Sequence, residues 1–301
     1  MRNINSLIRI MDLAHFSRVM LKSDSILLPL IAQYIDTFND IWIHCRYLML
    51  RLSGSRPPLL PSEADAGIAK STTGHFSDMD KGRQVQFFKS VVAYYLRIGD
   101  PIKALKFNEI AMSVMDGETQ EEQNRLPHAF VYLDAGLIAQ QNGQYQRAIY
   151  SARKGRIEAR KAGSVLTELD CLVLEADTLT SLGNLSHALE LCEAAQNLAV
   201  ASGLQSSDRE IAIWDITAEV AFQKSQYDKA YRLYQLIAEN TSSAKSPHFH
   251  IHASLWLIEI EIFLGQAGHG TGKKIDLSEG HVGKSPVEAR DTLCKIVGGQ
   301  S

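Results

Sequence analysis

Apolar residues recur along most of the chain at the three- and four-residue spacing of amphipathic helices, without the sustained two-residue alternation of a strand. Small residues interrupt these helical stretches at regular intervals. One local pattern occurs four times, with an apolar-periodic stretch, a small residue and then an alanine five positions later: Gly99 with Ala104, Gly143 with Ala148, Gly183 with Ala188, and Ser225 with Ala230. The pattern predicts an all-α chain built from repeated pairs of helices.

The four turn residues lie roughly 40–44 residues apart, which is long enough for two helices and their connections. A glycine tolerates the positive φ that a tight reversal needs, and an alanine where two helices cross lets their axes approach closely. Neither helix of a pair can bury its apolar stripe alone, so neighbouring units should stack on one another. A fifth, degraded unit begins with residues 251–264. Its turn is expected at Gly265, because the glycine-rich run that follows should not continue a helix.

The units resemble tetratricopeptide repeats. The match is clearest in the fourth unit, where the positions of the family pattern are occupied by Trp214, Ala218, Tyr227, Ala230 and Tyr234, and in the second, by Tyr132, Gly136, Gly143, Tyr145 and Ala148. The period exceeds that of ordinary tetratricopeptide repeats and is similar to the long-repeat type of kinesin light chains and of the sensor arms of NACHT-type signalling ATPases. The resemblance covers roughly residues 82–265, with departures at Glu175 and Ser225. It implies an α-solenoid superhelix of four to five helix–turn–helix units that binds other proteins.

Composition divides the chain further. We expect an N-terminal helical segment over residues 1–52, a Pro/Ser/Gly-rich linker over 53–80, the repeat domain over 81–265, and a flexible loop with a C-terminal capping helix over 266–301. The linker assignment comes from the run that starts at Ser53, and the capping helix from residues 286–297.

Charge and cysteine usage exclude several classes of function. A formal net charge of −3 and a pI near 6.4 do not favour general binding to nucleic acid or to anionic membranes. The most apolar segment, residues 26–50, carries Asp36, Asp40 and Arg46, so it is expected to be an amphipathic helix and not a membrane span. Four dispersed cysteines and the lack of a signal-peptide pattern indicate a cytoplasmic protein with reduced thiols, with a mitochondrial presequence as a weaker alternative.

No motif in the sequence supports catalysis, so we expect a protein that is not an enzyme and has no cofactor or small-molecule substrate. The segment Gly272-Lys273-Lys274 lacks the other positions of a P-loop. His248, His250 and His252 follow Pro247 at a predicted helix start, where only His248 and His252 would share a face, and two ligands are too few for a stable zinc site. The basic second helix of the second unit is expected to be a solvated outer face, with docking of an acidic partner or a nucleic-acid backbone as the alternative.

The resemblance implies that the first helices of the units line a concave groove. The positions that are exposed there in the family correspond to Lys89, Arg97, Phe130, Leu133, Leu137, Asp170, Asp177, Asp215, Glu219, Phe222, Leu255 and Glu259, together with His252. This groove would be basic at one end, apolar in the centre and acidic in its later units. We therefore expect a protein–protein interaction scaffold whose partner presents a peptide or helix with an apolar anchor and basic residues. The alternative is the sensor or regulatory arm of a signalling ATPase, with the nucleotide-binding module outside this chain.

Overall fold

The structure, a computed structural model, describes residues 8, 10–11, 27–35, 40–53, 59–115, 125–204, 207–242 and 246–271. Within these ranges the secondary structure is helical and no strand occurs. A short 3₁₀ helix spans Gly74–Asp78. In chain order the α-helices are α1 (Leu27–Ile35), α2 (Ile41–Leu52), α3 (Pro61–Ser71), α4 (Lys81–Arg97), α5 (Pro101–Met115), α6 (Arg125–Gln141), α7 (Tyr145–Lys161), α8 (Val165–Ser181), α9 (Leu185–Ala201), α10 (Asp208–Gln223), α11 (Tyr227–Asn240) and α12 (Pro247–Thr271).

Four helix pairs, α4/α5, α6/α7, α8/α9 and α10/α11, confirm the predicted repeats. Each pair turns at the expected residue, and all four of these residues have positive φ, from 60° at Ser225 to 75° at Gly99 and Gly183. The backbone amide of the residue after each turn residue donates to a carbonyl oxygen in the last turn of the first helix. In the fourth pair, the amide nitrogen of Gln226 lies 2.8 Å from the carbonyl oxygen of Ala221. This hydrogen bond and the left-handed turn residue together form a Schellman-type cap. The four crossing alanines are fully buried.

The predicted turn at Gly265 is wrong, because α12 continues through it to Thr271. Glycine permits a left-handed turn but does not impose one, and a glycine inside a helix costs only about 1 kcal/mol. The crossing alanine is also missing here, since residue 270 is another glycine. The predicted loop and capping helix beyond Thr271 lie outside the described residues.

The prediction of a linker over residues 53–80 is wrong for residues 61–78, which form α3 and the 3₁₀ helix. Pro61 occupies the first helical position, and the amide of Leu60 donates to Oε2 of Glu63 at 3.0 Å, so the start of α3 is capped. Ala64 and Ile68 of α3 are buried against the first repeat. The linker prediction gave more weight to the Ser-, Gly- and Pro-rich residues 53–58 than to the four-residue spacing of Ala64 and Ile68.

The chain divides into two compact units, residues 1–174 and 175–301, with the boundary inside α8. In the first unit the apolar sides of α2 and α3 pack with α4, α5 and α6 around Phe76, Phe87 and Phe88, whose rings meet edge to face at 5.4–5.6 Å. In the second unit Ala218, Ala230, Tyr234, Ala253 and Ile260 form the core of α10, α11 and α12.

Two further findings concern sequence expectations. None of the described helices is long and apolar enough to cross a membrane. Cys45, Cys171 and Cys192 are buried in the described helices, as predicted for residues that fill helix faces. The fourth cysteine, Cys294, lies outside the described residues.

Candidate functional site

Three carboxylates of the compact unit 175–301 lie on the first helices of two successive repeats. Asp177 lies on α8, and Asp215 and Glu219 lie one turn apart on α10. The pKa of Glu219 is raised, first by burial and next by the negative charge of Asp177, with a smaller contribution from Asp215. The negative charges of Asp177 and Asp215 therefore both act on Glu219, and we call these three residues the acidic face.

Neighbouring polar groups also act on the acidic face. The side-chain amide of Gln223 donates to Oε1 of Glu219 at 3.1 Å, which favours the charged carboxylate. The helix that carries two of the three carboxylates is fixed at its start, where Oγ of Ser207 accepts from the amide of Glu210. The charges of Asp177 and Asp215 contribute to the raised pKa of Glu219, so a positive group placed beside Glu219 would be attracted by all three carboxylates.

His252 of α12 meets the acidic face at Asp215. Its Nδ1 lies 2.9 Å from Oδ1 of Asp215, and its Nε2 lies 3.1 Å from the indole nitrogen of Trp256. An indole N–H can only donate, so Nε2 is the acceptor and Nδ1 carries the proton in the neutral ring. The hydrogen bond to Asp215 raises the pKa of His252, against the opposing effect of burial.

Aromatic rings border the acidic face. The indole of Trp256 stacks on the ring of Tyr234 at 5.5 Å and meets the ring of Phe222 edge to face at 4.9 Å. Phe263 packs on Tyr227 at 4.7 Å and keeps 42% of its surface exposed. We call Phe222, Tyr227, Trp256 and Phe263 the aromatic wall. A surface with carboxylates beside exposed aromatic area can hold both a cation and an apolar side chain.

Tyr234 adds a polar group beneath this surface. Its hydroxyl is buried and has no hydrogen-bond partner among the described residues. Burial raises the pKa of Tyr234, and the charges of Asp215 and Glu219 raise it further, which indicates that the hydroxyl lies near both carboxylates. Sequence analysis assigned Tyr234 to the helix-packing pattern and gave it no role at a site.

The histidine cluster lies at the start of a helix, as the sequence predicted. His248 and His252 share a face with their rings 6.1 Å apart, whereas Nδ1 of His250 lies 3.4 Å from Oγ1 of Thr241. Among the residues the structure describes, no three His, Cys, Asp or Glu side chains are arranged to hold a metal ion.

The residues predicted to form the basic end of the groove, Lys89 and Arg97, lie in the compact unit 1–174. The ammonium of Lys89 lies 3.1 Å from the centre of the Phe130 ring, a close cation–π contact. Arg97 donates to the carbonyl oxygen of Leu52 and lies over the ring of Tyr94. Lys89, Phe130 and Arg97 all line a half-open pocket of about 650 Å³ between α2, α4 and α6.

A buried carboxylate next to Lys89 was missed by sequence analysis. Asp134 is 6% exposed, and its Oδ2 has no hydrogen-bond partner in the described part of the chain. Burial raises the pKa of Asp134 to about 7, although the charge of Lys89 lowers it. The only signal in the sequence was a single acid, four residues after Phe130, within the mainly apolar central part of this helix.

The predicted apolar centre of the groove is corrected by the structure. Leu133 is buried with Ala152, Cys171 and Leu174, and Leu137 packs partly buried against this cluster, so Leu133 is a core residue. Asp170 of α8 is half-buried, whereas Leu255 and Glu259 of α12 are exposed. The assignment of the remaining residues to a binding surface stays a prediction.

Comparisons with known proteins agree with the fold. No protein-family model and no curated protein sequence matches this sequence. Among solved structures, it is similar to a Signal Transduction ATPase with Numerous Domains that has a tetratricopeptide repeat sensor, from Pyrococcus horikoshii. The TM-score is 0.63 at 12% identity, and the match covers 88% of this chain and 40% of that one. The apo form of RapI is also similar, with a TM-score of 0.57, 12% identity, and coverage of 98% of this chain and 77% of that one.

This chain thus spans less than half of the Pyrococcus protein. At 12% identity these likenesses establish architecture and leave activity open. Together with the repeated pairs and their left-handed turns, they show that the chain has the fold of a tetratricopeptide-type helical repeat protein.

Proposed function

We propose that the chain is a protein–protein interaction module whose acidic face binds basic residues of a partner segment. An apolar anchor of the same segment would pack against the aromatic wall. The observation that carries the proposal is the placement of three carboxylates on neighbouring first helices. The charges of Asp177 and Asp215 both act on the partly buried Glu219, and Oδ1 of Asp215 lies 2.9 Å from Nδ1 of His252. A lysine or arginine of the partner would be attracted by these carboxylates and would reduce the repulsion that acts on Glu219. This electrostatic gain on binding favours a basic partner.

The aromatic wall supports the apolar half of the proposal. Phe263 retains 42% exposure although it contacts Tyr227 and Phe222, and Leu255 of the same helix is 46% exposed. Burial of such area contributes about 25 cal/mol per Å², which is enough for one apolar side chain to add measurably to affinity. Charge would then set orientation and partner choice, and apolar contact would slow dissociation.

A direct test uses a fluorescein-labelled peptide with one leucine and two arginines, and a counterpart in which glutamates replace the arginines. We expect fluorescence anisotropy to show binding of the arginine peptide only. The double variant Asp177→Lys and Glu219→Lys should weaken that binding about ten-fold or more. Glu190→Lys with Glu193→Lys makes the same change in net charge on exposed residues of α9, a helix that carries no residue of the acidic face, and should leave affinity within about two-fold.

Equal weakening by both double variants would assign the binding to net charge and refute the acidic face as its site. Circular dichroism of each variant checks that helix content is retained, so that lost binding cannot be attributed to unfolding.

A second proposal follows from the likeness to a protein with a tetratricopeptide repeat sensor. The chain could serve as the sensor or regulatory arm of a signalling ATPase, with the partner of the acidic face acting as its stimulus. An ATPase module encoded in frame upstream of Met1, or co-purifying with the chain, supports this role. Stable partner binding by the chain alone, without any such module, supports the scaffold role.

A further inference from the structure

We propose that binding of a basic partner at the acidic face is coupled to a proton on His252, with the neutral imidazole as the binding form. The inference rests on the proposed function, because it concerns the regulation of the same surface. It goes beyond that function by predicting that the chain responds to pH through one identified side chain.

The hydrogen bonds of His252 can be satisfied together in one protonation state only. Trp256 donates its indole N–H to Nε2, at 3.1 Å, and this requires a bare Nε2. Asp215 accepts from Nδ1, at 2.9 Å, and this requires a proton there. A protonated imidazole carries hydrogen on both nitrogens, so it keeps the Asp215 bond and loses the Trp256 bond.

Loss of the Trp256 bond reaches the surface that would hold the partner. The indole of Trp256 is stacked on Tyr234 and touches Phe222, so its displacement would disturb the aromatic wall. The side chain of His252 is 36% exposed and that of Asp215 is 18% exposed, which leaves both accessible to an incoming group. One proton on His252 therefore changes both the charge and the shape of the candidate site.

The charges around His252 determine the direction of the coupling. Among the described residues, the charged and titratable groups that face it are Asp177 on α8, Asp215 and Glu219 on α10, Tyr234 on α11, and His248 on its own helix. The three carboxylates favour a positive imidazole, and they are also the groups that would attract a partner's arginine. The proton on His252 and the partner's arginine are therefore attracted by the same three carboxylates. By thermodynamic linkage, binding of either one lowers the affinity for the other.

The pKa of His252 is raised in the unbound chain, chiefly by the hydrogen bond to Asp215. A bound cation lowers it, so binding expels the proton from protonated molecules. Affinity should therefore be highest above the pKa of His252 and fall by up to about ten-fold per pH unit below it. Protonation of Glu219, whose pKa is also raised, acts in the same direction, so variants are needed to separate the two groups.

The free protein provides the first part of the test. The chain contains three tryptophans, and Trp256→Phe identifies which indole N–H signal in a ¹H–¹⁵N spectrum belongs to Trp256. We expect that signal to shift as the pH is lowered from 8 to 5, following the titration of the His252 ring. In His252→Asn the titration-linked shift should disappear, because asparagine can still donate to Asp215 but takes up no proton.

The second part uses the labelled arginine peptide at pH 8 and pH 6. The dissociation constant should rise at the lower pH in the wild-type chain and in the matched control His248→Asn. In His252→Asn it should change much less over the same range. Persistence of the full pH dependence in His252→Asn would overturn the proposal and assign the effect to the carboxylates.

The two parts separate failure of the coupling from failure of the proposed function. Equal affinity at both pH values, with a Trp256 signal that titrates, overturns the coupling while partner binding stands. No peptide binding at either pH, with the same titrating signal, overturns the proposed function and the coupling with it. A Trp256 signal that does not respond to pH overturns the hydrogen-bond argument itself.

Discussion

Gly155 of α7 lies against Cys171 of α8 with no room for a side chain between them. A Cβ at position 155 would stand 2.9 Å from Sγ of Cys171 and 3.3 Å from the carbonyl oxygen of Ala129. Both distances are shorter than ordinary van der Waals contacts. Cys171 is fully buried and Gly155 is buried, so neither can relieve the contact by moving into solvent. The pair therefore limits how closely these helices can pack.

We expect Gly155→Ala to destabilise the chain. Alanine gains about 1 kcal/mol of helix propensity over glycine, whereas forcing a methyl group into a packed contact costs about 1–3 kcal/mol. The overpacking term should prevail by about 1 kcal/mol, because two of the atoms nearest to the new methyl belong to the backbone. Thermal unfolding followed by circular dichroism should show a midpoint lower by a few degrees.

Cys171→Ala in the Gly155→Ala background provides the control. Removing the sulfur makes room for the new methyl group, so the double variant should be less destabilised than the sum of the two single variants. Additive effects, or a higher midpoint for Gly155→Ala alone, would contradict the proposed contact.

The repeated turns could be predicted because a left-handed backbone position leaves a mark in the sequence. Gly99, Gly143 and Gly183 were found from their spacing to a later alanine, and Ser225 was recognised although it is not glycine. The acidic residues Asp177, Asp215 and Glu219 were assigned to one surface from their positions in the units, and that assignment stays a prediction, although the charges of Asp177 and Asp215 both act on Glu219. Local geometry and repeat period are both encoded in short stretches of sequence.

Other features depend on contacts that no short stretch contains. Leu133 and Phe130 are both apolar residues of one helix, yet Leu133 is core and Phe130 lines a pocket, which only the neighbouring helices decide. The hydrogen bond between Trp256 and His252 needs the ring orientations that Tyr234 and Asp215 impose from other helices. Gly265 shows the converse limit, because glycine allows a turn without requiring one.

We expect Ser225→Gly to stabilise the chain. Ser225 is the non-glycine residue with positive φ, at 60°, among the described residues, and a left-handed conformation costs a non-glycine residue roughly 1–2 kcal/mol. The greater freedom of glycine in the unfolded chain offsets about 0.4–1 kcal/mol of this gain. The net increase in the free energy of unfolding should be about 0.5 kcal/mol, measurable by urea denaturation.

Gly183→Ser is the matched control, because Gly183 holds the equivalent turn position with φ at 75°. A Cβ at position 183 meets nothing within 4 Å, so the substitution tests backbone strain without a clash at the Cβ. It should lower the free energy of unfolding by about as much as Ser225→Gly raises it. The same sign for both substitutions would contradict an origin in backbone conformation.

The contact of Tyr95 with Asp65 predicts how α3 is held on the first repeat. The hydroxyl of Tyr95 donates to the Asp65 carboxylate, which also accepts from Nζ of Lys103 at 2.7 Å. These bonds lower the pKa of Asp65, that from Lys103 most. Tyr95→Phe keeps the buried ring and removes one bond, so the amides of α3 should exchange with solvent faster, while those of α9 remain unchanged in the same molecule. Unchanged exchange in α3 would show that apolar packing by Ala64 and Ile68 is sufficient.

Burial of Asp134 makes stability depend on pH in a direction opposite to that of a salt-bridged carboxylate. Its pKa is about 7 in the folded chain, above the roughly 4 of an unfolded aspartate. The protonated group is therefore favoured by folding. Its contribution is fully present below pH 4 and is lost as the pH rises to about 7.

Asp134→Asn removes this titration with little change in shape. At pH 8 we expect the variant to be more stable than the wild-type chain by about 2–4 kcal/mol, because it does not bury a charge. At pH 4 the two should be similar, since the aspartate is then protonated. Groups that titrate equally in the wild-type chain and in Asp134→Asn contribute equally to both unfolding midpoints. The difference between the two midpoints, plotted against pH, therefore reports the titration of Asp134. A difference that stays constant from pH 4 to 8 would show that the carboxyl group of Asp134 does not titrate in this range. If Asp134→Asn is less stable than the wild-type chain at pH 8, then Lys89 stabilises the charged carboxylate more than burial destabilises it.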